Sequence, residues 1–214
     1  MADRKKSTKK SVAKTSKTKA PAAPNSASTA LATVLLLRTC GPNGEAYGGF
    51  RWPLEVGAEV VAPDWSPEPS CGNGLHGLLW GEGDSSHLSV EASAAWMIVE
   101  AIAADVVDLN RKVKVPRCRV VHVGKREDAI AYLLEHGAAD TAVCFATLTG
   151  GDGSTLTGGD RSTLTGGHRS TLVFQGWCTK QQRLRVRTAE VGEDGIEAGV
   201  AYRCIDGEIV KVVS

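Results

Sequence analysis

A phrase of eight residues, repeated in tandem, constrains the fold of this chain more than any other feature. The units are ATLTGGDG (146–153), STLTGGDR (154–161), STLTGGHR (162–169) and the degenerate STLVFQGW (170–177). Side chains alternate along a β-strand, so each Thr-Leu-Thr directs its leucine to one face and its threonines to the other. The Gly-Gly pair supplies the turn, helped by the aspartate that follows it in two units.

Stacking these units predicts a short β-solenoid over residues 145–177, with neighbouring strands about 4.8 Å apart. An internal file would then hold Leu148, Leu156, Leu164 and Leu172. An external array of threonines is the candidate binding surface, and it comprises Thr147, Thr149, Thr155, Thr157, Thr163 and Thr165. The alternative is an antiparallel β-meander, in which the Gly-Gly-Asp-Arg segments are hairpin loops of suitable length.

The phrase Gly-Gly-Asp-Arg-Ser-Thr-Leu-Thr resembles the octapeptide of bacterial ice-nucleation proteins, over residues 146–173. That resemblance implies a Thr-x-Thr ladder of the kind taken to order water in this family. Residues 33–214 as a whole resemble uncharacterised bacterial and phage repeat-containing proteins. The residues that carry this second resemblance are CGNGLH (71–76), the octads, and GVAYRCIDGEIVKV (199–212). It implies no particular activity.

Charge and composition divide the chain into four segments. Residues 1–30 hold eight lysines and arginines, one acid and almost no large apolar side chain, which predicts a disordered basic tail. Such a tail is a spacer or an arm for nucleic acid or another polyanion, and its candidate residues are Lys5, Lys6, Lys9 and Lys10. An α+β domain is predicted for 31–144, the octads occupy 145–177, and a closing β-hairpin is predicted for 178–214.

The expected fold class is therefore α+β, and mainly β. TVLLLRTC (33–40) and residues 95–109 are predicted strands, whereas 61–84 is predicted to be a long loop without regular structure. Acids in the first turn and a terminal glycine predict a helix over 126–138. Alternating residues around Asp206-Gly207 predict the terminal hairpin.

A Gly-rich loop near Cys71, His76 and His87 is the one candidate for site chemistry. Cys71 and His76 could bind zinc together with His87, or act as a thiol nucleophile and its base. The structural alternative is a small apolar cysteine and a hydrogen-bonded histidine. The six cysteines are scattered and no secretory signal is present, which favours reduced thiols and a cytoplasmic protein. No membrane association is expected, because no apolar run reaches the length of a membrane span.

A second charged feature lies at 182–187, where QRLRVR would place Arg183, Arg185 and Arg187 on one side of a strand. This stripe is either a solvated face or part of a polyanion site.

The hypothesis that best fits these patterns is a non-enzymatic binding or assembly module, because repeated strands and turns build a surface whereas catalysis needs unique residues. Its partner would be another protein or a second copy, bound through the threonine face. The alternatives are a metal-binding or thiol enzyme that uses Cys71 and His76, and a polyanion-binding protein that uses the tail and the arginine strand. No cofactor is expected in the first case, and zinc in the second.

Overall fold

The computed structural model describes residues 31–213, and the predicted basic tail at 1–30 lies outside the described residues. The fold is mainly β, with 40% strand and 12% helix, which confirms the expectation of a mainly β chain. The strands are β1 Thr33–Cys40, β2 Glu59–Val61, β3 Leu75–Leu79, β4 Ala95–Ile102, β5 Val107–Asp108, β6 Val113–Val115, β7 Arg117–Gly124, β8 Thr147–Thr149, β9 Thr155–Gly158, β10 Thr163–Thr165, β11 Thr171–Cys178, β12 Arg183–Glu190, β13 Ala201–Ile205 and β14 Glu208–Lys211.

The first half of the described chain folds around a seven-stranded antiparallel sheet in the order β2-β7-β4-β1-β3-β6-β5. Its centre is the pairing of β1 with β4, which extends along the full length of both strands. Both faces of this centre are covered, so the apolar residues form a near-continuous run. Leu35 and Leu37 enter one core cluster, and Leu36 enters the other on the opposite face.

One helix, α1 (Arg126–Leu133), packs on this sheet against β4 and β7. Ile130 and Leu133 are buried, and Glu127 lies in the first turn where an acid favours the helix dipole. The chain continues as a wider, π-type turn at Leu134–Ala138, in which Gly137 takes a φ of 116°. The helix predicted over 126–138 is confirmed. Short 3-10 turns occur at Tyr47–Gly49, Ser85–His87 and Ala103–Asp105.

Two local predictions in this half need correction. The segment 61–84 is not without regular structure, because β3 lies inside it and joins β1 to β6. Gly77 permits this pairing, since a Cβ there would lie 2.9 Å from the Cβ of Leu36. The strand predicted over 95–109 ends at Ile102, where a 3-10 turn interrupts it before the two-residue strand β5.

The octads form parallel pairs, and each strand pairs with the strand sixteen residues away. Thr147–Thr149 (β8) pairs with Thr163–Thr165 (β10), and Thr155–Gly158 (β9) pairs with the start of β11. Successive octads therefore lie in different sheets. These parallel pairings contradict the antiparallel meander.

The segment after the octads completes both open sheets. The first has the order β14-β13-β10-β8 and the second β12-β11-β9. β12 and β13 pair antiparallel with the last two octad strands. The hairpin of β13 and β14 is confirmed, and its turn residues Asp206 and Gly207 have φ values of 52° and 88°. The predicted closing hairpin is incomplete, however, because this segment also supplies β12.

Candidate functional site

The six candidate threonines do not share one face. Because alternate octads lie in different sheets, Thr147, Thr149, Thr163 and Thr165 belong to one sheet, and Thr155 and Thr157 to the other. The prediction of a single threonine array is therefore wrong. Its premise was that neighbouring octads stack directly, whereas each Gly-Gly turn carries the chain across to the opposite sheet.

The accessible part of the threonine surface is small. Thr147, Thr149 and Thr155 are exposed, but Thr163 is only 8% exposed. The Nε of Arg203 on β13 donates a hydrogen bond of 2.7 Å to the Thr163 hydroxyl. On the other sheet, the hydroxyl of Thr171 donates to the carboxylate of Glu190 on β12. The threonines of the last two octads are thus partly used to hold the C-terminal strands.

Sequence reasoning missed the serines that open three of the octads. Ser162 and Ser170 are fully buried, at 1% and 0% exposure. The Ser162 hydroxyl donates to the carbonyl of Val143, and the Ser170 hydroxyl to that of Gly151, each at 2.9 Å. Each bond joins an octad serine to a carbonyl nineteen residues earlier in the chain. For Ser162 this carbonyl lies just before the first octad, and for Ser170 it lies in the first Gly-Gly turn. The recurrence of serine at the same octad position was the signal that could have identified this role.

The three residues of the predicted zinc or thiol site all line one cleft of about 930 Å³ beside β3. Cys71 and His87 are exposed, whereas His76 is half-buried. Within residues 31–213, no three His, Cys, Asp or Glu side chains are grouped so as to hold a metal ion. The zinc and thiol roles of these residues remain predictions.

The electrostatics of the cleft bear on that thiol hypothesis. Burial, and then the positive charges of Lys112, Lys114 and Arg38, lower the pKa of His76 to about 4. Burial also lowers the pKa of His87. An imidazole with so low a pKa is a weak proton acceptor at neutral pH, so His76 is poorly matched to deprotonate a thiol.

The same shift predicts a loss of stability in acid. Because the folded state holds His76 neutral, its contribution is complete above the unfolded pKa of 6.5 and is lost as the pH falls towards about 4. The ring keeps partial solvent contact, so we expect about 1–2 kcal/mol of unfolding free energy to depend on it. Denaturant unfolding at about pH 7 and about pH 4.5 measures this loss.

Comparison of variants isolates the His76 contribution from that of the carboxylates, which also titrate in this range. His76→Gln should show a smaller loss between the two pH values than the unmodified chain. His168→Gln, which changes an exposed imidazole in an octad turn, is the control. An equal loss in all three proteins would contradict the prediction.

The predicted arginine stripe is not a fully solvated face. Arg185 and Arg187 are half-buried and line a second cavity of about 500 Å³, together with Lys180, Asp160 and Asp206. The Nε of Arg187 donates to the carbonyl of Gly207 at 2.9 Å. The other side of β12 is the more exposed one, with Leu184 and Val186 at 37% and 51%. Arg183 is exposed, and a polyanion role for the three arginines remains a prediction.

Known proteins similar to this chain are bacterial. An ice nucleation protein of Pantoea ananas is 39% identical over 113 residues, which cover 52% of this chain and 11% of that protein. One of Pseudomonas fluorescens is 42% identical over 105 residues, 48% of this chain and 8% of that protein. One of Xanthomonas campestris pv. translucens is 37% identical over 102 residues, 47% of this chain and 6% of that protein. This chain contains a segment of ice-nucleation-type repeats.

The matches with ice nucleation proteins extend over about half of this chain, well beyond the 146–173 stretch on which the resemblance was predicted. This chain spans about a tenth of the length of the curated relatives it matches. No protein-family model matches it, and no solved structure does.

The predicted cytoplasmic location is contradicted by these matches, because ice nucleation proteins are anchored at the outer-membrane surface. The scattered cysteines misled the prediction, since unpaired thiols indicate a compartment only indirectly. Among residues 31–213, no helix has both the length and the apolar character that crossing a membrane requires.

Proposed function

We propose that this protein is a non-enzymatic assembly module that self-associates through the first layer of a short β-solenoid. The observation that carries the proposal is the in-register parallel pairing of octads sixteen residues apart. Two octads then make one coil of the solenoid, and the four octads make two coils. Leucines of both sheets point between them, where Leu164 and Leu172 are completely buried.

The two ends of this solenoid differ. At the C-terminal end, β12 and β13 pair with the second coil. At the other end, β8 and β9 are the outermost strands of their sheets among the described residues. The leucines of this first coil, Leu148 and Leu156, are only partly buried, and Leu148 also packs against the core cluster of the seven-stranded sheet that contains Val143. A strand edge with free backbone groups beside partly exposed leucines is suited to pairing with another strand.

A second copy is the partner that this edge fits best. Two first coils related by a twofold axis would pair their edges antiparallel and continue the apolar file from one molecule into the next. The edge strands carry the exposed threonines, so the same residues flank the proposed interface. The threonine surface alone, with two short rows on one sheet and one on the other, is small compared with a stable protein interface of about 800 Å² per partner.

Lysines introduced on the first coil test the proposal. Thr149→Lys with Thr155→Lys places charges on β8 and β9, which should prevent edge pairing. Both threonines are exposed, so the fold should be retained. Thr163 is unsuitable because it is buried beneath Arg203. Light scattering of the full chain over a concentration series should show a dimer that the double variant weakens at least ten-fold.

Thr188→Lys is the matched control, because Thr188 is an exposed threonine on β12 at the opposite edge of the second sheet. It should dimerise like the unmodified chain. A chain that stays monomeric at every concentration would overturn the proposal. Loss of the dimer in Thr188→Lys alone would move the interface to the β12 edge and would equally contradict the proposed surface.

A further inference from the structure

A largely buried guanidinium without a carboxylate partner lies in the wall of the 930 Å³ cleft. Arg38, on the central strand β1, donates from its terminal nitrogens to the carbonyls of His76 and Thr39, at 3.1 and 3.3 Å. Its Nε is buried and has no hydrogen-bond partner. Within residues 31–213 it forms no ion pair. Buried charges in proteins are normally paired, so this arrangement needs a reason.

The surroundings of Arg38 add positive charge rather than neutralising it. Lys112 lines the same cleft. Lys114 is completely buried. Its ammonium group donates to the backbone carbonyls of Ser70 and Gly72. Asp64 is the one carboxylate among the residues that line the cleft, and its Oδ1 accepts from the amide of Gly74.

The low pKa of His76 is consistent with this excess of positive charge. Burial is its main cause, and the next are the neighbouring cations Lys112, Lys114 and Arg38, followed by His87. Burial likewise lowers the pKa of Arg38 to about 10, and the groups that oppose this effect are the thiols of Cys40 and Cys118 rather than a carboxylate. A low-dielectric cleft with an excess of positive charge concentrates anions.

Aromatic side chains complete the cleft. The guanidinium carbon of Arg38 lies over the ring of Trp52, 3.6 Å from its centroid, which is a cation–π contact. Phe50 packs edge-on against Trp52, with their ring centroids 5.6 Å apart. At the mouth, Tyr47 is fully exposed on a turn that contains Gly48 and Gly49. Concave sites with apolar walls and a few convergent polar groups are typical of small-molecule binding.

We propose that this cleft binds a small organic anion whose carboxylate or phosphate group pairs with Arg38 and Lys112 and whose planar part contacts Tyr47 and Phe50. The oxyanion supplies the counter-charge that Arg38 lacks among the described residues. Each terminal nitrogen of Arg38 carries a second N–H beyond the one that it donates to a carbonyl, and these N–H groups can donate to either oxyanion. The cleft adjoins the seven-stranded sheet and not the octads, so this inference is independent of the proposed self-association.

Calorimetric titration of the full chain tests the inference with four probes: phenyl phosphate, benzoate, inorganic phosphate and neutral phenol. Phenyl phosphate or benzoate should bind, and the tighter of the two identifies the oxyanion. Phenol should bind at least ten-fold more weakly than that probe. Tyr47→Ala should weaken the aromatic anion several-fold and leave inorganic phosphate unchanged.

Charge variants decide which residues hold the anion. Arg38→Gln should weaken binding at least ten-fold. Lys112→Gln should weaken binding several-fold, and Lys125→Gln is the matched control at an exposed lysine that does not line the cleft. Lys112→Gln remains decisive if Arg38→Gln fails to fold.

Three results would overturn the inference: no binding of any anion by the unmodified chain, equal binding of phenol and the aromatic anions, or equal binding by Lys112→Gln and Lys125→Gln. Because the octads are unaltered in every variant, none of these results bears on the dimer.

Discussion

Gly159→Ala should lower the free energy of unfolding by at least about 3 kcal/mol, although it adds only one methyl group. Gly159 is buried at the turn between the second and third octads. A Cβ there would overlap the carbonyl oxygen of Ala142 and lie 2.7 Å from the amide nitrogen of Cys144. These are backbone atoms held by hydrogen bonds, since the Gly159 amide donates to the carbonyl of Val143 and the Cys144 amide to that of Gly81. The clash cannot be relieved by rotation of a side chain.

The octads contain their own control, because the same glycine recurs at Gly151. No atom lies within 4 Å of the position that a Cβ would take there, and the residue is exposed. Gly151→Ala should change the unfolding free energy by no more than about 0.5 kcal/mol. Thermal unfolding measures both, and Gly159→Ala should lower the Tm by about 6–12 °C. Similar Tm values for the two variants would contradict the close stacking of the turn on residues 142–144.

Leu172→Ala should be the second strongly destabilising substitution, with a loss of about 2–5 kcal/mol. Leu172 lies in β11 with no exposed surface, within the core cluster that also contains Leu164, Phe174 and Tyr202. Removing its side chain leaves a cavity between the two sheets, which the surrounding strands are too well paired to fill. The same substitution at Leu156 should cost less, about 1–2 kcal/mol, because that leucine is already partly exposed.

Urea unfolding of Leu172→Ala and Leu156→Ala compares two leucines at the same octad position in paired strands. The difference in their unfolding free energies reports how completely each coil is covered. If self-association buries the first coil, Leu156→Ala should become more destabilising at high protein concentration, where the dimer dominates. A larger loss for Leu156→Ala than for Leu172→Ala in dilute solution would show that the second coil is not the better packed one.

Prediction from the sequence succeeded where local chemistry decides the structure. Asp206-Gly207 is confirmed as a hairpin turn because both residues tolerate a positive φ. The helix that begins at Arg126 is confirmed because its acids, its apolar residues and its terminal glycine all indicate the same element. The strands and turns of the octads were predicted because each eight-residue unit contains both an alternating Thr-Leu-Thr strand and a Gly-Gly turn.

The cleft was only half predicted. The sequence singled out Cys71, His76 and His87 as neighbours in the chain, and all three line it. Arg38 was missed because it sits within a strand of buried leucines, where an arginine alone has no motif. Its guanidinium meets Trp52 and the carbonyl of His76 only after β1 and β3 pair and the loop at 47–52 folds over them.

The sequence by itself determined that this protein has an octad repeat with leucines turned inward, a mainly β fold and a terminal hairpin. These features depend on side-chain alternation and turn chemistry, which act within a few residues. Only the tertiary structure decided that octads pair across sixteen residues rather than eight, that the threonines are divided between two sheets, and that identical glycines differ in their tolerance of a methyl group. Those outcomes depend on which part of the chain packs against each residue. Because the octads have nearly the same sequence, their sequence alone does not distinguish these surroundings.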